Sequence, residues 1–174
     1  MTTRNFALRG LKVELKKGDA TRIDYPDGFF DVVYSFGVIH HIPDAHAVMR
    51  EIRRVLKPGG RCLVALYHKG SFFHLYMVLV RGLLQGRLFR LGYEGLMATV
   101  EGGADGVTTK PYVKLYGRRE ARALFSGFRV ERVSVHHVEI GRFRTRIIGR
   151  ILTPVLARLE PLLGWYVVCD ATCQ

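Results

Sequence analysis

The hydrophobic pattern of the first 67 residues predicts two buried strands joined by a helix. Residues 29–36 (FFDVVYSF) and 61–67 (RCLVALY) are nearly continuous apolar runs, which is typical of parallel strands covered on both faces. Between them Val48, Ile52 and Val55 recur at the helical period, behind an N-cap candidate at Asp44. A strand, helix and strand in this order predict parallel pairing and an α/β fold.

The rest of the chain predicts shorter elements around this unit. Residues 11–15 (LKVEL) and 129–138 alternate apolar and polar positions, residues 164–171 form an apolar run, and all three are predicted strands. Helices are predicted over 72–100, 118–125 and 146–163. We therefore divide one domain, residues 1–174, into a core βαβ part (11–67), a helical insert or lid (68–110) and a C-terminal helix–strand–helix–strand part (111–174).

The composition is that of a folded protein with a strong basic excess. Apolar residues make up 48% and charged residues 24%, with 27 Lys and Arg against 15 Asp and Glu, a formal charge of +12. Most of this excess lies after residue 66, and arginines cluster between residues 118 and 150. Such a surface attracts anionic lipid, RNA phosphates or acidic ligands. Aromatic residues interleave only sparsely with these arginines, so no specific nucleic acid partner is predicted.

Cysteine usage and hydropathy favour a reducing compartment. The three cysteines form no disulfide framework, and Cys169 and Cys173 alone lack the ligand number of a zinc site, so no metal is predicted. The chain has no secretory signal and no apolar run long enough to cross a bilayer. We expect a cytoplasmic protein, with peripheral membrane association left open.

Three blocks of sequence carry a family resemblance. They are Gly18-Asp19-Ala20, residues 25–44 (YPDGFFDVVYSFGVIHHIPD) and residues 54–60 (RVLKPGG). In this order they resemble the class I S-adenosylmethionine-dependent methyltransferases of type 11. The resemblance implies a Rossmann-like sheet of order 3-2-1-4-5-7-6, S-adenosylmethionine as cofactor, and in-line methyl transfer from its sulfonium to an oxygen, nitrogen or carbon of a small apolar acceptor.

By the same resemblance, residues 11–15, 30–36 and 61–67 correspond to the third, fourth and fifth strands, and residues 129–138 and 164–171 to the sixth and seventh. The family's glycine-rich loop after the first strand and its ribose-binding acid after the second have no counterpart here. The fold expected is therefore a class I methyltransferase sheet lacking its first two strands, in an N-terminally truncated form of a longer protein or in a true remnant. Residues 11–15 would pair with 30–36, float free, or pair with another chain, as in a homo-oligomer.

This departure predicts weak or absent cofactor binding. Each hydrogen bond to a charged carboxylate contributes roughly 1.5–3 kcal/mol. Losing two or three of them lowers affinity on the order of 10³-fold or more.

Five residues are predicted on the cofactor side. By resemblance, Asp19 and Ala20 meet the adenine, where a carboxylate accepts from the exocyclic amine; the alternative is an Asp that caps its own loop. Ser35, Phe36 and Gly37 end the fourth strand, and open α/β sheets bind ligands at that edge.

Four further residues are predicted on the acceptor side: His40, His41, Tyr67 and His68. His41 is the candidate general base, because an imidazole titrates near working pH. One histidine could instead cap the following helix, and methyl transfer can proceed by proximity alone.

The apolar insert after residue 71 leaves three interpretations open: a cover for the sheet, a lid over an apolar acceptor, or a patch that faces a membrane. A second function class also stays open. The chain would then be a non-enzymatic basic module that binds RNA or an anionic membrane surface.

Overall fold

One four-stranded sheet organises the protein. The computed structural model describes residues 5–6, 8–100, 112–138 and 158–174. In them the strands β1 (Phe30–Phe36), β2 (Leu56–Tyr67), β3 (Phe128–His136) and β4 (Tyr166–Cys173) lie in the order β1-β2-β4-β3. β1 runs parallel to β2, whereas β4 is antiparallel to both β2 and β3. This arrangement matches the predicted fourth, fifth, seventh and sixth strands, and the Rossmann-like α/β prediction is confirmed.

Helix α1 (Ala45–Val55) connects the two parallel strands as predicted. The Asp44 carboxylate caps it by accepting from the Ala47 N–H at 2.8 Å, which satisfies one of the orphan donors of the first turn. After α1, residues 57–60 (KPGG) form a bulge in β2. The pairing with β1 jumps from Leu56 to Arg61, so residues 57–60 loop out of the ladder.

The main core lies between one face of the sheet and two helices, α1 and α4 (Arg118–Ala123). Alternate residues of each central strand point into it, as the two-residue period of a strand requires. The fully buried contributors from β2 and β4 are Cys62, Val64, Leu66, Val167, Cys169 and Ala171. The three cysteines are buried and free.

The predicted strand at residues 11–15 is wrong. These residues form no ladder, and Leu11, Val13 and Leu15 are all exposed. An alternating sequence becomes a strand only when a neighbour takes its backbone hydrogen bonds and its apolar face is buried. Among the described residues neither occurs, and the direct pairing with residues 30–36 is not formed either.

Strand β1 consequently has one edge with no described strand beside it. Its face opposite the core is also open. Val32, Tyr34 and Phe36 alternate on that face and are 59%, 63% and 47% exposed. An unpaired edge beside an apolar face is unusual for a parallel strand, which is normally covered on both sides.

The helical insert is built from α2 (Phe72–Tyr76), a π-helix (Met77–Leu84) and α3 (Arg87–Ala98). Its inner side forms a second core with the end of β2, and the residues of that core are Tyr67, Phe73, Met77, Leu96, Met97, Leu115 and Trp165. Helix α5 (Glu160–Leu163) falls within the predicted helix 146–163. The predictions for 101–111 and 139–157, including the arginines of the latter segment, lie outside the described residues.

Candidate active site

The carboxyl ends of β1 and β2 lie side by side because the two strands are parallel. Ser35 and Phe36 close β1, and the Gly37 N–H donates to the Ala65 carbonyl across the pair at 3.2 Å. Gly37 has φ +74°, a left-handed conformation that favours glycine. Open space lies where a side chain at residue 37 would stand, so the chain leaves room for a ligand at this edge.

A short 3₁₀ turn, Ile39–His41, follows β1 and buries one histidine completely. His40 is 0% exposed, and neither ring nitrogen has a hydrogen-bond partner among the described residues. Its ring stacks on Tyr67 with centroids 3.7 Å apart. Burial, with a smaller contribution from His41, lowers the pKa of His40 to about 3. The imidazole is therefore neutral in the folded protein.

The stack continues from the strand ends into the insert. Tyr67 packs on Trp165 with ring centroids 4.3 Å apart, and Trp165 meets Phe73 of α2 edge-on at 4.6 Å. His40, Tyr67, Trp165 and Phe73 thus form an aromatic column. Because these rings are in direct contact, the column fixes the insert relative to the end of β1.

His41 and His68 are held through one ring nitrogen each. Nδ1 of His41 lies 3.0 Å from the Tyr112 carbonyl oxygen, and Nδ1 of His68 lies 3.0 Å from that of Gly164. A carbonyl only accepts, so Nδ1 carries the proton in both rings. Burial lowers the pKa of His68. The two rings are positioned by backbone from distant parts of the chain.

A cleft of about 950 Å³ opens between the insert and residues 112–115. The Lys114 N–H donates to the His40 carbonyl at 3.0 Å, and the Tyr116 N–H donates to the Tyr67 carbonyl at 2.8 Å. These bonds place the cleft just outside the carboxyl ends of β1 and β2, where open α/β sheets bind ligands. Its apolar lining comes from Val78, Leu91, Ala98, Val113 and Leu115.

A histidine–tyrosine pair that the sequence did not indicate lies in this cleft. His74 Nδ1 is 2.6 Å from the Lys69 carbonyl oxygen, and Nε2 is 3.0 Å from the Tyr93 hydroxyl. Because Nδ1–H donates to this carbonyl oxygen, Nε2 has no proton and accepts from the hydroxyl. Burial lowers the pKa of His74 and raises the pKa of Tyr93. The sequence has no signal for this contact, because His74 lies in α2 and Tyr93 lies in α3.

Four charged residues also line the cleft, namely Lys69, Glu94, Lys114 and Glu120. Lys69 Nζ lies 3.9 Å from Glu120, whose carboxylate also accepts from the Gly117 N–H at 2.6 Å and so caps α4. Lys114 lies over the Tyr116 ring, 5.2 Å from its centroid. The cleft therefore combines an apolar wall with several polar and charged groups, which can orient a bound small molecule.

Asp19 lies apart from this cleft, in a turn of its own. Its carboxylate accepts from the backbone N–H and the hydroxyl of Thr21, both at 2.8 Å, and these two bonds lower the pKa of Asp19. Ala20 packs against the main core. The structure thus brings Ser35, Phe36, Gly37 and the four predicted acceptor residues to one end of the sheet, and their proposed roles stay predictions.

The residues present fit only part of S-adenosylmethionine. Gly37 leaves space beside β1, and the Asp19 carboxylate is exposed. The sequence contains no Gly-x-Gly-x-Gly segment to bring backbone N–H groups to the cofactor's carboxylate.

Comparisons with known proteins agree with this geometry. Residues 1–64 match the family described as "Methyltransferase domain". Phosphoethanolamine N-methyltransferase 3 of Arabidopsis thaliana is 46% identical over 68 residues, covering 36% of this chain and 14% of that enzyme. The 27-O-demethylrifamycin SV methyltransferase of Amycolatopsis mediterranei is 46% identical over 50 residues, covering 29% of this chain and 18% of that enzyme.

The fold extends further than the sequence similarity. A Thermotoga maritima S-adenosylmethionine-dependent methyltransferase, described as a possible histamine N-methyltransferase, superposes with a TM-score of 0.57 at 17% identity. The match covers 99% of this chain and 68% of that protein. Residues 1–64 therefore match the methyltransferase domain family, and the chain has the fold of the class I S-adenosylmethionine-dependent methyltransferases.

Proposed function

We propose that this chain forms the acceptor-binding side of an S-adenosylmethionine-dependent methyltransferase that acts on a small molecule with an apolar body. The observation that carries the proposal is the position of the cleft. It is tied by backbone hydrogen bonds to the turn after β1 and to the end of β2. An acceptor in the cleft would lie beside the strand ends at which this fold binds its cofactor.

The cofactor site is completed, in this proposal, across the open edge of β1. A strand paired there would satisfy the free edge, and a helix joined to that strand would cover Val32, Tyr34 and Phe36. A glycine-rich loop after that strand would reach the cofactor beside Gly37. About a third of the Thermotoga protein has no counterpart in this chain, which is room enough for such a unit. Its source is either the same polypeptide or a separate one.

Within the cleft, the His74–Tyr93 pair is the group best placed to receive a proton from the acceptor. The Tyr93 hydroxyl can take a proton from a bound nucleophile. At the same time it can pass its own proton to the neutral His74 imidazole, which already accepts its hydrogen bond. The bond between Tyr93 and His74 is 3.0 Å long, within the range required for such a transfer. His41 remains the alternative base predicted from the sequence.

Transfer of a labelled methyl group tests this proposal. The chain is assayed with a panel of small apolar acceptors in three forms: alone, fused behind a strand–loop–helix unit of a class I methyltransferase, and mixed with that unit as a separate polypeptide. We expect transfer only in the complemented forms, and the comparison of the fused and mixed forms shows whether the added unit must be joined covalently to the chain.

A cleft-filling variant, compared with a matched control outside the cleft, tests where the acceptor binds. Leu91→Trp fills the cleft and should abolish transfer while cofactor binding persists, whereas Leu75→Trp, an exposed insert residue outside the cleft, should keep transfer. Equal activity of the two variants would show that the acceptor binds elsewhere.

A further inference from the structure

The bend between the π-helix and α3 carries an exposed apolar tip, which we define as Leu83, Leu84 and Phe89. Leu84 and Phe89 are each 82% exposed, more than any other large apolar side chain in the described part of the chain. Gly86, with φ +69°, turns the backbone sharply between them. Two large apolar groups at a tight bend are costly to leave in water, which points to a binding role.

The apolar surface continues from the tip along the insert. Leu75, Leu79 and Leu83 are all exposed and recur every four residues, so they follow one side of the helical segment. The opposite side is anchored, because Met77 and Leu96 are buried in the second core. The insert is therefore a packed part of the protein that presents an apolar stripe outward.

The charged residues nearest to the tip along the chain are all basic. Arg81 lies in the π-helix, Arg87 and Arg90 lie in the first turns of α3, and the sequence has no Asp or Glu between Glu51 and Glu94. An apolar tip flanked in sequence by arginines matches an anionic bilayer, where apolar groups enter the acyl boundary and guanidinium groups meet the phosphates. A second copy of the chain would bring the same positive charges together and be repelled.

The tip does not serve the acceptor cleft. Val78 and Leu91 line that cleft, whereas Leu84 and Phe89 do not. No helix in the described ranges is long and apolar enough to span a membrane. We propose that the tip inserts into the interfacial region of an anionic membrane and holds the protein there peripherally. This inference is independent of methyl transfer.

Vesicle sedimentation tests the inference with the chain itself. Vesicles of phosphatidylcholine are compared with vesicles of phosphatidylcholine and phosphatidylserine across a salt series. We expect at least tenfold tighter binding to the anionic vesicles, weakening as salt rises. The double variant Leu84→Ser with Phe89→Ser should lose at least tenfold, and Leu162→Ser, an exposed leucine outside the insert, should bind like the parent.

A spectroscopic variant keeps the test decisive if the double variant folds poorly. Phe89→Trp should be quenched by brominated lipid, whereas Leu162→Trp should not. Equal binding to both kinds of vesicle, full binding by the double variant, or an unquenched tryptophan at residue 89 would overturn the proposal. So would a double variant that changes only the oligomeric state in sedimentation equilibrium, because the tip would then be a contact between copies.

Discussion

Removing the buried imidazole of His40 should remove much of the protein's sensitivity to mild acid. The pKa is about 3 in the folded state, against the ordinary value of 6.5. Between these values the unfolded chain binds more protons than the folded one, so stability falls as pH falls through 6.5 toward 3. Between pH 7 and pH 5 this one group should cost about 2 kcal/mol of unfolding free energy.

His40→Phe tests this magnitude because phenylalanine can keep the stack on Tyr67 and cannot be protonated. Urea unfolding at pH 5, 6 and 7 is followed by fluorescence of Trp165, the single tryptophan, which packs on Tyr67. The variant should lose about 2 kcal/mol less than the parent over this range. His46→Gln, at an exposed position of α1, should behave like the parent. An unchanged pH dependence in His40→Phe would refute the reasoning.

Three further predictions concern stability and the cleft. Arg54 donates to two backbone carbonyls and two carboxylates, so Arg54→Met should lower the midpoint of urea unfolding, whereas Arg50→Met on the exposed side of α1 should leave it nearly unchanged. Gly164→Ala should cost about 1–3 kcal/mol by urea unfolding, because the added Cβ would lie 2.6 Å from the His136 carbonyl oxygen; an unchanged midpoint would contradict this packing. In the complemented enzyme, Tyr93→Phe should lower the rate of methyl transfer about 10²-fold or more without weakening acceptor binding, and an unchanged rate would exclude the phenol from proton transfer.

The sheet could be predicted from the sequence because its strands have strong local signals. The apolar runs at 30–36 and 61–67, with a capped amphipathic helix between them, permit few arrangements other than a parallel pair. The order of the later two strands came from the family resemblance. The strand prediction at residues 11–15 failed for a physical reason. Alternating apolar and polar residues favour a strand, but a strand also requires a neighbouring strand, and the described residues provide none.

The cleft was harder to predict because tertiary packing creates it. His40, His41, Tyr67 and His68 lie at the carboxyl ends of β1 and β2 but do not line the cleft, and their roles stay predictions. The sequence could not show that His40 would be fully buried. The His74–Tyr93 pair was not predicted, because the contact depends on the bend between the π-helix and α3 that brings Tyr93 to His74.

Calorimetric titration with S-adenosylmethionine tests the central claim most directly. The 174-residue chain alone should bind the cofactor very weakly, because in the proposed function it supplies only one side of the site. The same chain joined to a glycine-rich strand–loop–helix unit should bind at least a thousandfold more tightly, as restored hydrogen bonds to a charged carboxylate predict on the order of 10³-fold. Low-micromolar binding by the chain alone would contradict the account.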